Sequence, residues 1–157
     1  MKALVAYYSR TGNTRKVAER ISALLGCDIE EIRDVVNRSG MIGWLKAGRD
    51  VGSKRLTTLE TVKNDPAGYD IIVIGTPIWR HTLSTPIRTY ISQYQENFKK
   101  VSFFCTGRST GDSPFDEMES LCGKKPIATL RLQIRRGVDT AHDPEKIQDF
   151  ISKIEAE

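Results

Sequence analysis

Residues 2–14 read KALVAYYSRTGNT and join an apolar strand, a turn and the start of a helix. The strand runs to Tyr8, and the turn contains Gly12. Apolar residues then recur at helical spacing as far as Gly26, namely Val17, Ala18, Ile21, Leu24 and Leu25. The pattern predicts a strand, a turn and a helix in immediate succession.

Four further strands are predicted, over residues 27–32, 69–75, 101–106 and 126–132. Residues 71–74 are all aliphatic, which is typical of a central parallel strand covered on both faces. The last strand alternates apolar and polar residues, which indicates an edge strand. Between the strands, helix starts are predicted where a capping side chain precedes a proline, at Ser84-Thr85-Pro86, Ser113-Pro114 and Asp143-Pro144. Strands that alternate with helices predict an α/β fold with a doubly wound, five-stranded parallel sheet.

Length and composition predict one globular domain spanning residues 1–157. The chain carries a net charge of +4, but its basic residues are interleaved with acidic ones, which favours a solvated basic surface over a nucleic-acid interface. Three widely spaced cysteines and two histidines argue against structural zinc and a disulfide framework. No apolar run approaches the roughly 18 residues of a membrane span, so we expect a soluble, cytoplasmic protein without membrane insertion.

The least regular part of the chain is residues 33–68. Five apolar residues are predicted to line one side of a short helix, although three glycines weaken it: Met41, Ile42, Trp44, Leu45 and Val51. Two roles remain open for this segment, since it either covers the sheet or meets a partner.

Three loops are predicted to meet at the carboxyl ends of the strands, where such sheets bind ligands. They comprise residues 9–14, 76–85 and 106–113. The first loop is rich in hydroxyl groups and precedes a helix N-terminus, where unpaired N–H groups favour an anion. It therefore predicts a phosphate site, with a simple helix cap as the alternative.

Other phosphate-binding proteins of similar topology are excluded by the same residues. The first loop has Gly12-Asn13-Thr14 where an NTPase needs Gly-Lys-Ser/Thr, and it has one glycine where a dinucleotide fold needs three. It holds no cysteine nucleophile for phosphatase chemistry. Tyr8, Ser9 and Gly75 occupy the strand ends where a receiver domain needs carboxylates. Any chemistry must therefore belong to the bound ligand.

The second loop places Pro77, Ile78 and Trp79 at the end of a buried strand, where exposed apolar area is explained by a flat heteroaromatic ring. The alternative is that Trp79 folds back onto the core. The third loop supplies glycines and polar groups that suit the edge of such a ring.

These loops resemble those of the flavodoxin family, in order and over nearly the whole chain. The first is similar to the FMN-phosphate signature, and the other two are similar to the loops beside the flavin ring. The resemblance implies strand order 2-1-3-4-5 and non-covalently bound FMN. The implied binding residues are Ser9, Arg10, Thr11, Gly12, Asn13, Thr14, Thr76, Pro77, Ile78, Trp79, Arg80, Thr106, Gly107, Arg108, Gly111 and Asp112.

Two features depart from that family. Flavodoxins commonly place a Tyr on the outer flavin face, whereas here either Phe115 substitutes or that face is open. Flavodoxins are also usually acidic. We therefore expect Arg80 and Arg108 to ease the final reduction of the flavin. Cys105 is expected to be a buried strand cysteine, and His81 is left out of the catalytic set.

The implied function is electron transfer between redox protein partners, with a preference for acidic ones. The alternative is an FMN-dependent NAD(P)H:quinone or flavin reductase, for which the basic rim would attract anionic substrates. A scaffold that has lost the cofactor and a basic nucleic-acid binder are the remaining classes. No catalytic residue and no metal ligand are predicted.

Overall fold

The chain alternates strands and helices from its first strand to its last helix, and the computed structural model describes residues 1–111 and 113–157. The elements are β1 (Ala3–Tyr7), α1 (Asn13–Leu25), β2 (Asp28–Glu31), α2 (Gly40–Gly52), β3 (Ile71–Trp79), β4 (Thr82–Leu83), α3 (Thr85–Tyr94), β5 (Lys100–Gly107), α4 (Phe115–Cys122), β6 (Thr129–Gln133) and α5 (Pro144–Glu155). Short 3-10 turns lie at Pro66–Gly68 and Gln95–Asn97. The predicted site residue Asp112 lies outside the described residues.

The sheet has the order β2-β1-β3-β5-β6, and all of these strands are parallel. The short strand β4 pairs only with β3 and is antiparallel to it. With β4 set aside, the five parallel strands follow the order 2-1-3-4-5. The predicted topology is therefore confirmed.

The core forms two layers, one on each face of the sheet. Residues 71–74 in the first half of β3 are at most 1% exposed, as expected for a strand covered on both faces. On one face, Ile21 of α1 and Phe150 of α5 pack together. On the other, Ile87 of α3 and Met118 of α4 are buried. The sheet is doubly wound, with its carboxyl ends free to form a site.

Strand β6 has the features of the predicted edge strand. Leu130 and Leu132 are buried, while Arg131 and Gln133 are half-buried on the opposite side. The alternation in sequence thus corresponds to the alternation of side chains across the strand.

Three of four helix ends agree with the predicted signals. Gly26 ends α1 in the left-handed conformation, and the Asp143 carboxylate accepts the Lys146 N–H at the start of α5. Ser84 is the N-cap residue of α3. The prediction for α4 is wrong by one position, because Pro114 rather than Ser113 is its N-cap residue.

The loop predicted over residues 76–85 is wrong in part, because most of it is a β-hairpin. Strand β3 continues to Trp79 and folds back into β4, with Ile78 opposite Leu83 and Trp79 opposite Thr82. Arg80 and His81 form the two-residue connection and have φ values of +45° and +69°. Positive φ at both central residues is what a type I′ hairpin turn requires. The wall of the site is therefore a hairpin instead of an irregular loop.

The helix predicted within residues 33–68 is present as α2, but the five apolar residues predicted to line one side of it do not share one environment. Its buried residues are Gly43, Ala47 and Val51. Four of the five are exposed, with Met41 at 80%, Ile42 at 71%, Trp44 at 60% and Leu45 at 58%, whereas Val51 is buried. The inner face of α2 packs closely, because a Cβ on Gly43 would come within 2.0 Å of the Arg38 carbonyl carbon, so only glycine fits there.

Within the described part of the chain, no helix combines the length and the apolar character needed to cross a membrane.

Candidate functional site

A cleft of about 660 Å³ opens at the carboxyl ends of β1, β3 and β5. Eleven of the predicted site residues line it: Arg10, Thr11, Asn13, Thr14, Pro77, Ile78, Trp79, Arg80, Thr106, Gly107 and Arg108. Four others, Ser9, Gly12, Thr76 and Gly111, lie nearby in the chain but do not line the cleft. The three predicted loops thus converge at one edge of the sheet.

The first loop is held by its own polar groups. The Gly12 N–H donates to Ser9 Oγ at 3.0 Å, and Gly12 has φ +94°, which favours glycine. The Asn13 amide nitrogen donates to Thr11 Oγ1 at 3.2 Å, and its Oδ1 accepts from the Thr140 hydroxyl at 2.6 Å. No side chain among the described residues caps α1. Its first N–H groups are therefore available to an anionic ligand.

A buried hydroxyl pair joins the first and third loops. Thr14 Oγ1 and Thr106 Oγ1 are 2.9 Å apart, and both residues are at most 1% exposed. This contact fixes the start of α1 against the end of β5. It also leaves two hydroxyl groups at the floor of the cleft.

Trp79 forms part of the cleft wall and is held from behind. Its ring meets Tyr8 edge-on, with centroids 5.4 Å apart and planes at 85°. The Arg38 guanidinium lies 5.9 Å from the centre of the same ring. The two sequence alternatives for Trp79 are thus combined, since the residue packs on the core and also faces the cleft.

Thr76 stabilises the hairpin from inside. It is fully buried, and its Oγ1 accepts the Ser84 N–H at 3.0 Å. At the tip of the hairpin, Glu117 accepts from the Thr82 hydroxyl and from Arg88 at 2.8 Å. Arg88 and Thr82 lower the pKa of Glu117 to about 2. The hairpin is therefore anchored at its base and near its tip.

The third loop is supported by the edge strand. Gln133 Nε2 donates to the Arg108 carbonyl at 3.1 Å, and the Arg131 guanidinium donates to the Ser109 carbonyl. Gly107 allows the hairpin to approach closely, because a Cβ there would lie 2.8 Å from Ile78 Cδ1. This support from β6 was not predicted from the sequence.

Helix α2 forms a wall of the cleft that sequence reasoning missed. Trp44, Leu45, Ala47 and Gly48 line the cleft from this side. The Arg80 side chain lies along α2, since a Cβ on Gly48 would be 3.3 Å from Arg80 Nε. The apolar run at residues 41–45 was the available signal, but it left open whether the segment covers the sheet or meets a partner.

A buried ion cluster attaches α2 to the rest of the molecule. Arg38 Nε donates to Asp34 at 2.9 Å, and Arg38 Nη1 donates to Asp50 of α2 at 2.8 Å. Thr57 Oγ1 also donates to Asp34, at 3.0 Å, which is the third hydrogen bond of this cluster. Because Arg38 also contacts the Trp79 ring, one side chain positions both the helix and the aromatic wall.

The charged side chains among the described residues that line the cleft are all basic. Arg10, Arg80 and Arg108 line it, and none of its described lining residues is Asp or Glu. This arrangement favours anionic ligands and anionic states of a ligand.

Cys105 lies beneath the site, fully buried, and burial raises the pKa of its thiol to about 12. That thiol is protonated at neutral pH, and a protonated thiol is a poor nucleophile.

A family model described as flavodoxin matches residues 2–132. The chain belongs to the flavodoxin family. No curated protein matches this flavodoxin-family chain.

Solved structures with the same fold span almost the whole chain. A flavoprotein from Lactobacillus acidophilus NCFM, crystallised with FMN, is 24% identical, with a TM-score of 0.74 and coverage of 95% of this chain and 97% of that one. A candidate flavoprotein from Bacteroides uniformis ATCC 8492 is 25% identical, with a TM-score of 0.77 and coverage of 96% and 97%. Oxidised flavodoxin 2 from Bacillus cereus is 20% identical, with a TM-score of 0.60 and coverage of 99% of both chains.

One departure from other flavodoxins is now clarified. Phe115 packs against the buried cluster that includes Met118, and it is not among the residues that line the cleft. It is therefore part of the core packing and not of the cleft wall. The aromatic residues of the cleft wall are instead Trp79 and Trp44.

Proposed function

We propose that this flavodoxin-family protein binds FMN and carries electrons between redox partners. The observation that supports this best is the meeting of two features in one cleft. The N-terminus of α1 is not capped by a described side chain, and the aromatic wall at Trp79 stands at the same sheet edge. An anion site beside a flat apolar wall suits a ligand with a phosphate at one end and an aromatic ring at the other.

The residues of the cleft fit both ends of FMN. The first loop would hold the phosphate through the N–H groups of α1 and the side chains of Thr11, Asn13 and Thr14. The hairpin residues Pro77, Ile78 and Trp79 would contact the ring on one side. The third loop would reach its edge through Thr106, Gly107 and Arg108, with Arg10 and Arg80 adding positive charge.

Other predicted residues have supporting roles in this proposal. Ser9 and Gly12 shape the first loop through their mutual hydrogen bond. Thr76 holds the hairpin. Gly111 lies in the third loop and is exposed.

When bound, FMN supplies one-electron and two-electron redox chemistry, and its fully reduced ring is anionic at neutral pH. The chain's own contribution is to orient the ring and to set the charge around it. Arg80 and Arg108 stabilise negative charge in the cleft, and the described lining offers no carboxylate to oppose them. The fold shared with the L. acidophilus flavoprotein, whose structure contains FMN, supports the choice of cofactor.

The test of the carrier role uses the FMN-loaded protein. After photoreduction, we expect rapid electron transfer to an acidic cytochrome and slower transfer to a basic one, because the cleft is lined by arginines. Added salt should reduce the difference, since attraction between exposed charges is screened. Transfer that is equally slow to both acceptors at every salt concentration would contradict the carrier role.

The alternative function is an FMN-dependent NAD(P)H:quinone or flavin reductase. The size of the cleft and its three arginines would suit a phosphate-bearing substrate. Steady-state oxidation of NADPH with a quinone acceptor separates the two functions. Sustained turnover by the isolated FMN-loaded protein would favour the reductase, and absence of turnover favours the carrier.

A further inference from the structure

The most exposed apolar surface of the molecule is on α2. Met41, Ile42, Trp44 and Leu45 are between 58% and 80% exposed and lie within about the first two turns of that helix. Exposed apolar side chains grouped in this way mark an interaction surface, whereas single ones do not. We call these four residues the α2 patch.

Basic residues lie on α2 and directly after it, although Lys54 Nζ is 3.4 Å from Glu117 Oε1. Four basic residues belong to α2 or follow it directly: Lys46, Arg49, Lys54 and Arg55. The only acidic residue between positions 40 and 58 is Asp50, and its carboxylate accepts from the buried Arg38 at 2.8 Å. Arg49 also lies 3.6 Å from Asp50, yet its side chain is 70% exposed. The face that α2 presents to solvent is therefore apolar and cationic.

We propose that the α2 patch binds an anionic lipid surface. A peripheral membrane helix combines large apolar side chains, often including Trp and Leu, with Lys and Arg that attract anionic headgroups. The α2 patch has both features. Its four exposed apolar side chains suit shallow burial at the boundary between headgroups and acyl chains, which does not require the chain to span the bilayer.

The anchoring of α2 suits this role. Arg38 ties the helix to the body of the molecule through Asp34 and Asp50, and Gly43, Ala47 and Val51 bury its inner face. The outer face can therefore be covered without detaching the helix. Because Trp44 and Leu45 also line the cleft, docking would bring the cleft mouth to the membrane surface.

This inference goes beyond the proposed function and does not depend on it. Lipid binding is measured with and without added FMN, so failure to bind FMN and failure to bind lipid are separate results.

The experiment measures flotation of the protein with vesicles of phosphatidylcholine alone and of phosphatidylcholine mixed with phosphatidylglycerol. We expect binding to the mixed vesicles only, and release at about 0.5 M salt, where screening is strong. Equal binding to both vesicle types, or to neither, would overturn the proposal.

Two double variants test the apolar and the cationic contributions. M41S/I42S should weaken binding to the mixed vesicles by about tenfold or more, through loss of buried apolar area. K46Q/R49Q should weaken it by about tenfold to thirtyfold, because each basic residue near an anionic surface contributes about fivefold. Both variants alter exposed side chains, so unfolding midpoints close to that of the wild type will verify that they fold.

Matched controls lie elsewhere on the chain. Ile29→Ser changes an exposed apolar residue of β2, and K124Q/K125Q removes two positive charges next to the opposite end of the sheet. Both should bind the mixed vesicles as the wild type does. If the controls weaken binding as much as the α2 variants, the proposal is overturned.

A spectroscopic measurement locates the contact. The chain contains two tryptophans, Trp44 and Trp79, so the emission of Trp79→Phe reports on Trp44 alone. A blue shift on addition of mixed vesicles is expected, and no shift would contradict insertion of α2.

Two other binding partners of the α2 patch would overturn the proposal. The first is a second copy of the chain, shown by a concentration-dependent dimer that M41S/I42S dissociates. The second is a protein partner, shown by binding of an acidic cytochrome that M41S/I42S weakens while the wild type does not bind vesicles.

Discussion

Gly75 lies where β3 passes the buried ring of Phe104. A Cβ at this position would come within 2.0 Å of Phe104 Cζ, and the ring is fully buried. We expect Gly75→Ala to destabilise the protein by about 1–3 kcal/mol, the usual cost of overpacking a core. Urea unfolding of the wild type and the variant measures this difference in the free energy of unfolding. Gly68→Ala adds a Cβ in open space and should change stability by less than about 0.5 kcal/mol; equal effects of the two variants would contradict the packing described.

Glu117 makes stability depend on pH. Its pKa is lowered from 4.5 to about 2, first by the hydrogen bond from Arg88. The stabilisation is therefore complete above pH 4.5 and is lost as the pH falls toward 2. Because the carboxylate is partly solvated, we expect Glu117→Gln to cost about 1–2 kcal/mol at pH 7.

The measurement for Glu117 is urea unfolding of both proteins between pH 7 and pH 3. The difference in free energy of unfolding should narrow below pH 4.5. A difference that stays constant over this range would show that the ion pair with Arg88 is not its source.

Arg80 and Arg108 are expected to influence the bound cofactor through their charge. Replacing either with Ala should lower the final reduction potential of bound FMN on the order of tens of millivolts, because each replacement removes a positive charge from the cleft. Arg20→Ala removes the same charge from an exposed position on α1 that does not line the cleft, and it should leave the potential unchanged. Redox titration of the FMN-loaded proteins measures this potential. Unchanged potentials in R80A and R108A would show that the two arginines do not influence the cofactor.

At the scale of elements, Arg38 determines how α2 is held. It is 3% exposed and pairs with Asp34 and Asp50. Arg38→Met would leave both carboxylates without this partner, and losing one member of a buried ion pair typically costs about 3–5 kcal/mol. Hydrogen exchange of the α2 amides should accelerate more than that of the β3 amides, since the lost ion pairs attach α2 and not β3.

An exposed ion pair provides the control for Arg38. Arg33 pairs with Glu31 at 2.5 Å, but its side chain is 60% exposed. Arg33→Ala should therefore cost less than about 1 kcal/mol. Similar losses from the two variants in urea unfolding would mean that the buried cluster does not anchor α2.

The elements differ in how far the sequence predicts them. Residues 71–74 form an unbroken aliphatic run and the helix after the first strand has a clear apolar periodicity, and both elements are confirmed. Helix α2 buries Gly43 and Ala47, which give little hydrophobic signal, and its main attachment is the charged Arg38. A pattern based on apolar residues therefore does not show which side of α2 is buried.

The hairpin shows a second limit of sequence reasoning. Arg80 and His81 adopt positive φ in its turn, although Asn-Gly or Asp-Gly is the usual signal there. Contacts such as Thr76 with Ser84 provide the stabilisation, and they depend on the tertiary fold.

At the scale of the whole molecule, topology alone brings the three loops together. Parallel strands in the order β2-β1-β3-β5-β6 place the ends of β1, β3 and β5 side by side, so residues far apart in sequence line one cleft. This is why most of the site could be predicted from strand ends. The support from β6 and the wall from α2 could not, because they depend on side-chain directions that the strand pattern does not encode.

The central claim, that the cleft binds FMN through both its phosphate and its ring, is tested most directly by calorimetric titration of the cofactor-free protein with FMN and with riboflavin. The account predicts one FMN per chain and binding of riboflavin that is weaker by about tenfold or more, because riboflavin lacks the phosphate that the N-terminus of α1 would hold. Equal affinity for the two ligands, or no binding of FMN, would contradict it.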